Sequence, residues 1–531
     1  MSAAAETFAP VQDTWRPAVN PWIIALTVTL ATFMEVLDTS IANVALPHIA
    51  GGLSSGQDES TWVLTSYLVS NAIVLPMSGW LSSFFGRKRF YMSCVVVFTI
   101  SSFLCGLAPN LTMLIIFRVL QGAGGGGLQP SEQAILADTF PPAKLGMAFA
   151  VYGMAVVLAP AIGPTIGGFI TDNYSWRWIF YMNVPIGIIS LLLTARLIQD
   201  PPYLKKQNKR HFGIDYFGLG LVAVGLGALQ VVLDKGQRDD WFDSNFITTL
   251  TVICVVTLVI AVFWELHHKN PIIDLRLFKD RTFAVSNGMM FMLGVALYGT
   301  TVLLPQFVQT LMGYTAQEAG LALMPGGFTV MLFMPVVGFL LGKKFDVRGL
   351  IAFGLIALSL SLWYMSHFDL QIDFKTAALA RVYQAVGLAF LFIPINTAAY
   401  SGLPPDKNNA ASGLINLARN VGGSVGISFV TTMLDRRTQS HQNALVKNLT
   451  AGSPQLRGMI QGATQTLIAH GSSPILANKQ AYGLVTATLY RQAAMLSYVD
   501  NFRILGTLIF CLIPIVFLMK RPKVTGRIGV H

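Results

Sequence analysis

Residues 31–47 read A-T-F-M-E-V-L-D-T-S-I-A-N-V-A-L-P, the second half of an apolar run that begins near Trp22. A bilayer is crossed by about 20 apolar residues at roughly 1.5 Å rise each, so this run is long enough to span one. It nevertheless holds Glu35 and Asp38, three residues apart and so on one helix face. A carboxylate at a span centre costs about 2.5–3.5 kcal/mol on insertion scales, and that face is expected to look into protein or a watery cavity. Snorkelling to a surface is the bland alternative, but it is mainly a device of long Lys and Arg chains near helix ends. An intramembrane carboxylate is read first as a proton or substrate site.

The surroundings of this stretch set the class. The chain has 531 residues, 53% hydrophobic and 11% charged, where soluble domains carry about 25% charge. A polytopic, all-α membrane protein is expected. The net charge of +11 sits in short loops between apolar runs, without the basic face or motif of a nucleic-acid binder. Cys94, Cys105, Cys254 and Cys511 fall in or beside apolar runs at spacings that fit neither a metal site nor a disulfide framework. The first run is too long for a signal-peptide core and is expected to stay in the membrane.

Runs of spanning length lie near 22–46, 60–82, 91–108, 111–133, 146–170, 179–198, 214–233, 246–266, 282–308, 320–342, 350–366, 376–400, 409–433 and 499–519, which predicts fourteen spans. Basic residues cluster in alternate connections: Arg87-Lys88-Arg89, Lys144, Lys205 to Arg210, Lys269 to Arg281, Lys343-Lys344 with Arg348, Lys407, and the tail from Lys520. The positive-inside rule then places both termini in the cytoplasm. The connection 435–499 is long and carries apolar periodicity in three stretches, which predicts short amphipathic helices. It reads either as a docking surface for an extracytoplasmic partner or as a self-packed cap.

G-W-L-S-S-F-F-G-R-K-R at Gly79 to Arg89 is echoed faintly by G-F-L-L-G-K-K-F-D-V-R-G at Gly338 to Gly349. The echo fits a parallel repeat. The organisation expected is a cytoplasmic segment 1–21, a six-helix bundle 22–200, two inserted spans within 201–281, a second six-helix bundle 282–519 containing the long loop, and a tail 520–531.

Run four reads F-R-V-L-Q-G-A-G-G-G-G-L-Q-P from Phe117 to Pro130. Arg118 lies at a depth similar to Asp38, and a buried Arg needs a counter-charge. Asp38 or Glu35 is the expected partner, as a proton-coupling pair or a structural one. Gln121 shares the Arg118 face. Gly122 and Gly124 to Gly127 permit close helix approach or leave room for a ligand. Glu132, near the inner end, is a third acidic candidate or merely reaches the interface. A-P-A-I-G-P-T-I-G-G, Ala159 to Gly168, should kink run five and thin its surface. Gln129, Asn287, Gln306, Asn396, Asn416 and Arg419 are further in-membrane polar candidates for a substrate cavity. Arg381 sits close enough to a run end to reach the surface. Histidines avoid mid-membrane positions, so proton handling rests on carboxylates, for which burial favours the neutral form and a nearby Arg the charged form. No cofactor or metal is expected.

Together these residues resemble the major facilitator superfamily in its fourteen-span drug:proton antiporter branch, that of the EmrB-like efflux pumps. L-D-T-S-I-A-N-V-A-L-P (Leu37 to Pro47), Gly79 to Arg89, R-V-L-Q-G (Arg118 to Gly122), G-P-T-I-G-G (Gly163 to Gly168), W-R-W-I-F-Y-M-N-V-P-I-G (Trp176 to Gly187) and S-G-L-P-P (Ser401 to Pro405) carry the likeness. It implies a major facilitator fold, a proton-driven exporter of amphipathic drugs, and proton coupling at Asp38 and Arg118. It also implies an antiporter helix at Gly163, Pro164, Gly167 and Gly168, and a cytoplasmic gating loop with Gly79, Gly86, Arg87 and Lys88. An EmrA-type periplasmic adaptor and a TolC-like outer-membrane channel are the implied partners. Ser83 stands where the superfamily loop usually has Asp, so a charge relay from that position is not expected. A dedicated exporter of one metabolite class, such as a fatty acid, siderophore or aromatic acid, fits the same motifs. A membrane enzyme or receptor does not, for want of a converging nucleophile, metal site or sizeable signalling domain.

Overall fold

The computed structural model describes residues 17–201, 215–269, 271–343, 345–447, 449 and 453–520. Most of the expected N-terminal segment, the Lys205 to Arg210 cluster, Lys344 and the tail past Lys520 lie outside the described residues. In chain order the long helices are α1 (Pro21–Gly52), α2 (Trp62–Phe85), α3 (Arg87–Leu107), α4 (Leu111–Gly125), α5 (Leu128–Thr139), α6 (Pro142–Asn173), α7 (Asn183–Leu197), α8 (Tyr216–Lys235), α9 (Asn245–His267), α10 (Arg281–Thr310), α11 (Ala316–Gly342), α12 (Val347–Met365), α13 (Phe374–Tyr400), α14 (Asn408–Lys447), α15 (Pro454–Ala469) and α16 (Pro474–Cys511).

Polar caps set where many of these helices begin. Asn20 accepts the Trp22 amide at 3.0 Å, Asn110 that of Met113 at 2.9 Å, Asp280 that of Phe283 at 2.9 Å and Asp373 that of Thr376 at 2.9 Å. Each side chain satisfies an amide that the first helical turn leaves open. Between α2 and α3 the chain turns at Gly86, φ 88° and ψ 138°, a region that only glycine enters at low cost. Gly86→Ala should therefore destabilise the protein by about 1–3 kcal/mol, read as a lower thermal midpoint in detergent; an unchanged midpoint would refute the strain.

Among the described residues thirteen helical stretches are long and apolar enough to cross a membrane. The fourteenth expected run, 409–433, lies within α14, which is not among them. Helices α2, α5, α8, α10, α13 and α16 all pack on α14. A helix so enclosed meets little lipid and can carry Asn, Ser and Gly.

The same pairings recur in the two halves. α1 packs on α6, α2 on α4, α3 on α4 and α3 on α7; correspondingly α10 packs on α14, α11 on α13, α12 on α13 and α12 on α16. α8 and α9 pair with each other, and α8 rests on α2 and α14. Glycines bring the helices together. A Cβ on Gly294 would overlap the Arg419 carbonyl, and one on Gly422 the Phe291 carbonyl, so α10 and α14 meet backbone to backbone. Between the halves, α6 and α11 touch along their length, from Gly320 beside Thr165 to Gly338 beside Met147. α2 and α14 meet closely toward the Gly86 end of α2, where a Cβ on Gly79 would lie 2.8 Å from the Asn409 carbonyl.

The long connection differs from the series of short helices expected. Of its three apolar stretches only the middle one, α15, is a separate helix; the other two are continuations of α14 to Lys447 and of α16 from Pro474. Residues 434–447 contain no Gly or Pro to stop α14. His441 and Arg437 of that extension face Asp500 of α16 at 2.9 Å and 3.7 Å.

Candidate functional site

Glu35 and Asp38 are 3% and 2% exposed, and Arg118 is fully buried. Arg118 Nη1 donates to Asp38 Oδ2 at 2.6 Å and to Gln121 Oε1 at 2.8 Å, and its Nε donates to the Val63 carbonyl at 3.0 Å. The Tyr67 ring lies 4.3 Å from the guanidinium. Asp38 Oδ1 accepts from Gln121 Nε2 at 3.0 Å and from Asn183 Nδ2 at 2.6 Å. The carboxylate thus takes three donors from α4 and α7.

Among the described residues Glu35 has no direct cation. Its Oε1 accepts from Tyr67 at 3.1 Å and Asn71 at 3.3 Å, and its Oε2 from Gln129 Nε2 at 2.6 Å. The other end of the Gln129 amide accepts from Arg419 Nη2 and from Tyr152 at 3.2 Å. One amide therefore separates a first-half carboxylate from a second-half guanidinium. Tyr152 also receives Arg419 Nη1 at 2.9 Å and lies 3.2 Å from Asn416 Oδ1, so its one proton is shared between the Gln129 and Asn416 oxygens. Asn416 in turn donates to Gln133 at 2.8 Å, and Gln133 donates to Asn396 at 3.2 Å. Gln129, Asn396, Asn416 and Arg419 thus join one buried network that ties α1, α5 and α6 to α13 and α14.

The remaining candidates separate. Glu132 is fully buried and accepts from Thr29 at 2.6 Å rather than reaching an interface. Asn287 is buried on α10 outside this network. Gln306 lines a cavity of about 290 Å³ between α2, α8, α10 and α14, together with Leu68, Gln230, Asp234, Arg238, Ser424 and Asp435. Arg381, expected near a surface, is 3% exposed: the packing of α13 between α11 and α12 covers it.

On α6, Pro164 has no amide to give the Pro160 carbonyl. Ser40 Oγ of α1 donates to that carbonyl at 3.3 Å, and a Cβ on Gly163 would collide with the same hydroxyl. α6 therefore runs unbroken from Pro142 to Asn173 through both prolines, with the freed acceptor served by a neighbour. A Cβ on Gly167 would sit 3.0 Å from Ile41, whereas Gly168 faces open space.

Where α2 turns into α3, Arg87 is 2% exposed and paired with Asp138 of α5. Asn408 Nδ2 donates to the same Asp138 at 2.8 Å. Lys88 is held by its amide to Asp200 at 2.8 Å and by its ammonium to the Ala195 carbonyl at 2.6 Å. Ser83 Oγ donates to the Gly79 carbonyl of its own helix at 2.9 Å. Asp138 thus makes a connection to the second half at the loop where Ser83 replaces the usual acid. Sequence reasoning missed Asp138, which lies just past the expected run 111–133, on the same helix α5 as Glu132. Tyr67, Asn71, Gln133, Tyr152 and Asn183 were missed too, because single polar residues in apolar runs carry little pattern. Among the described residues no three metal-ligating side chains cluster.

A polytopic helical protein with two pseudo-equivalent six-helix halves and a buried polar network across their seam is a membrane transporter in form. The family model for the Major Facilitator Superfamily matches residues 28–427. The Escherichia coli (strain K12) multidrug export protein EmrB is 37% identical over 511 residues, 96% of this chain and 97% of that one. The Neisseria gonorrhoeae fatty acid resistance protein FarB is 38% identical over 515 residues, 97% and 99% of the two chains. In fold, the chain is similar to the proton:xylose symporter XylE bound to 6-bromo-6-deoxy-D-glucose, TM-score 0.57 at 15% identity, covering 93% of this chain and 96% of that one. The chain belongs to the major facilitator superfamily and is an EmrB-like, multi-pass transporter of the bacterial inner membrane.

Proposed function

We propose that this protein is a proton-driven antiporter that exports amphipathic drugs and toxic compounds by alternating access, with both termini in the cytoplasm. The observation that carries the reading is the Glu35–Gln129–Arg419 relay. A carboxylate in the first half and a cation in the second share one amide, so a proton on Glu35 changes the forces across the seam. Protonation removes the charge that draws the Gln129 amide to Glu35 and weakens the tie to α14. A substrate that displaces the proton restores it, and linkage makes that competition reciprocal. Asp38, opposite Arg118, is the second coupling carboxylate. The proton motive force is the energy source, with no cofactor.

An EmrA-type adaptor and a TolC-like channel are the partners we propose, on the likeness to EmrB and on the helical extensions past residue 435. The likeness to FarB favours, as the second reading, a dedicated exporter of a carboxylate-bearing metabolite such as a fatty acid. A broad resistance screen of a deletion strain separates the two: sensitivity to many unrelated compounds supports the first, sensitivity to one class the second.

The relay is tested by proton release. Detergent-solubilised protein in weak buffer should release protons when a cationic amphiphile is added. Glu35→Gln keeps the size of the side chain but cannot ionise; its release should fall by about tenfold or more if Glu35 is a coupling site. Undiminished release in Glu35→Gln would exclude Glu35.

A further inference from the structure

The coupling motif of α4 is written a second time. Asn110, Arg118, Val119, Gln121 and Gly124 recur as Asp373, Arg381, Val382, Gln384 and Gly387 at identical spacing. The structure repeats the geometry. Asn110 and Asp373 both cap their helices. Arg381 Nη1 donates to Gln384 Oε1 at 2.5 Å, as Arg118 does to Gln121 at 2.8 Å. A Cβ on Gly124 would lie 2.6 Å from the Phe98 amide nitrogen of α3, and one on Gly387 2.6 Å from the Leu358 amide nitrogen of α12. Both pairs are the same pseudo-equivalent contact.

What neutralises the arginine is not repeated. Gln121 Nε2 donates to Asp38, whereas Gln384 Nε2 donates to the Thr300 hydroxyl of α10. Thr300 thus occupies the carboxylate's place. The α2 and α11 sequences align at Pro76 with Pro335 and Gly79 with Gly338, which sets Tyr67 against Gly326. Tyr67 stacks over Arg118; Gly326 adjoins the Arg381 stem and offers no ring. Among the described residues the one polar partner of Arg381 is the neutral Gln384, although Arg381 is 3% exposed. A buried guanidinium without a counter-charge is expensive to keep.

We propose that Arg381 with Gln384 and Thr300 is a binding site for an anionic group: the carboxylate or sulfonate head of a transported amphiphile, or a free inorganic anion. The bound anion supplies to Arg381 the counter-charge that Asp38 supplies to Arg118 in the first half. The guanidinium supplies the charge and the donors; the Thr300 hydroxyl, which accepts from Gln384 and donates to the Ala296 carbonyl at 2.7 Å, holds Gln384 in place beside it. Its use in export rests on the transport reading above; the binding itself does not.

The test uses the full chain in nanodiscs, titrated calorimetrically with 1-naphthoate and, as the same ring with the opposite charge, 1-naphthylmethylammonium. Arg381→Gln and Thr300→Asp should each weaken naphthoate by about tenfold or more, the worth of a charge-assisted hydrogen bond. Thr300→Asp rebuilds the pair already present in the first half and so guards against loss of fold. It should leave naphthylmethylammonium binding intact. Replacing chloride by gluconate separates the two sources: tighter naphthoate binding without chloride shows that an inorganic anion uses the site, and no change assigns it to the amphiphile head. Wild-type-like naphthoate binding in Thr300→Asp, or no anion binding by the parent protein, would overturn the proposal. Absence of proton release with any compound would sink the transport reading and leave this result standing.

Discussion

An Asp38→Asn protein will release no protons on addition of substrate and will confer no resistance. Asn matches Asp in size, so the change removes a charge and a titratable group and little else. It leaves Arg118, fully buried, without a counter-charge, with neutral acceptors alone around it: the new amide oxygen, Gln121 and the Val63 carbonyl. Breaking one side of a buried pair costs about 3–5 kcal/mol, so membrane levels should fall as well. The double variant Asp38→Asn, Arg118→Gln removes the stranded cation and should recover much of the level without recovering transport. Immunoblots of membranes, a resistance assay and proton release on the purified proteins measure the three quantities. Substrate-driven release from Asp38→Asn equal to that of the parent would show that the pair is structural.

Gly422→Val will fail to accumulate. At this position α14 meets α10 with no side chain between them, and a Cβ would overlap the Phe291 carbonyl. The neighbouring glycines Gly294 and Gly426 are equally close to the Arg419 and Val295 carbonyls, so sliding the helices does not relieve the overlap. Backbone cannot swing aside as a side chain does. The cost should exceed about 3 kcal/mol, the upper end for ordinary overpacking. Folded protein, read by monodisperse elution in detergent, should drop severalfold or more. Gly462→Val, with open space around its Cβ, is the control. A Gly422→Val protein that elutes like the parent would mean that α10 and α14 are not held at this distance.

Much of this was legible in the residues because the membrane enforces simple rules. Long apolar runs marked the spans, and charges within them stood out against that background. Matching depths pointed Arg118 to Asp38 or Glu35, since an unmatched buried charge is costly, and packing decides for Asp38. The run in α14 escaped the same logic in part: enclosed by protein, it owes little to lipid and reads as polar. The relay through Gln129 and Tyr152 was not legible as a relay. Its members come from four separate helices, and which amide faces which carboxylate is decided by packing, not by spacing. The repeat of α4 in α13 was present in the letters, but only the geometry showed that Thr300 stands where an acid is needed.

Helix α14 runs without a break from Asn408 to Lys447. Arg419 lies in its buried stretch, and its far end stands about 42 Å further on at helical rise. Such a rod acts as a lever. A tilt of about 10° that shifts the guanidinium by an ångström or two sweeps the distal tip by about 7 Å. On the proposed coupling, whatever grips that tip would feel the ionisation of Glu35 at a distance, as displacement rather than as charge.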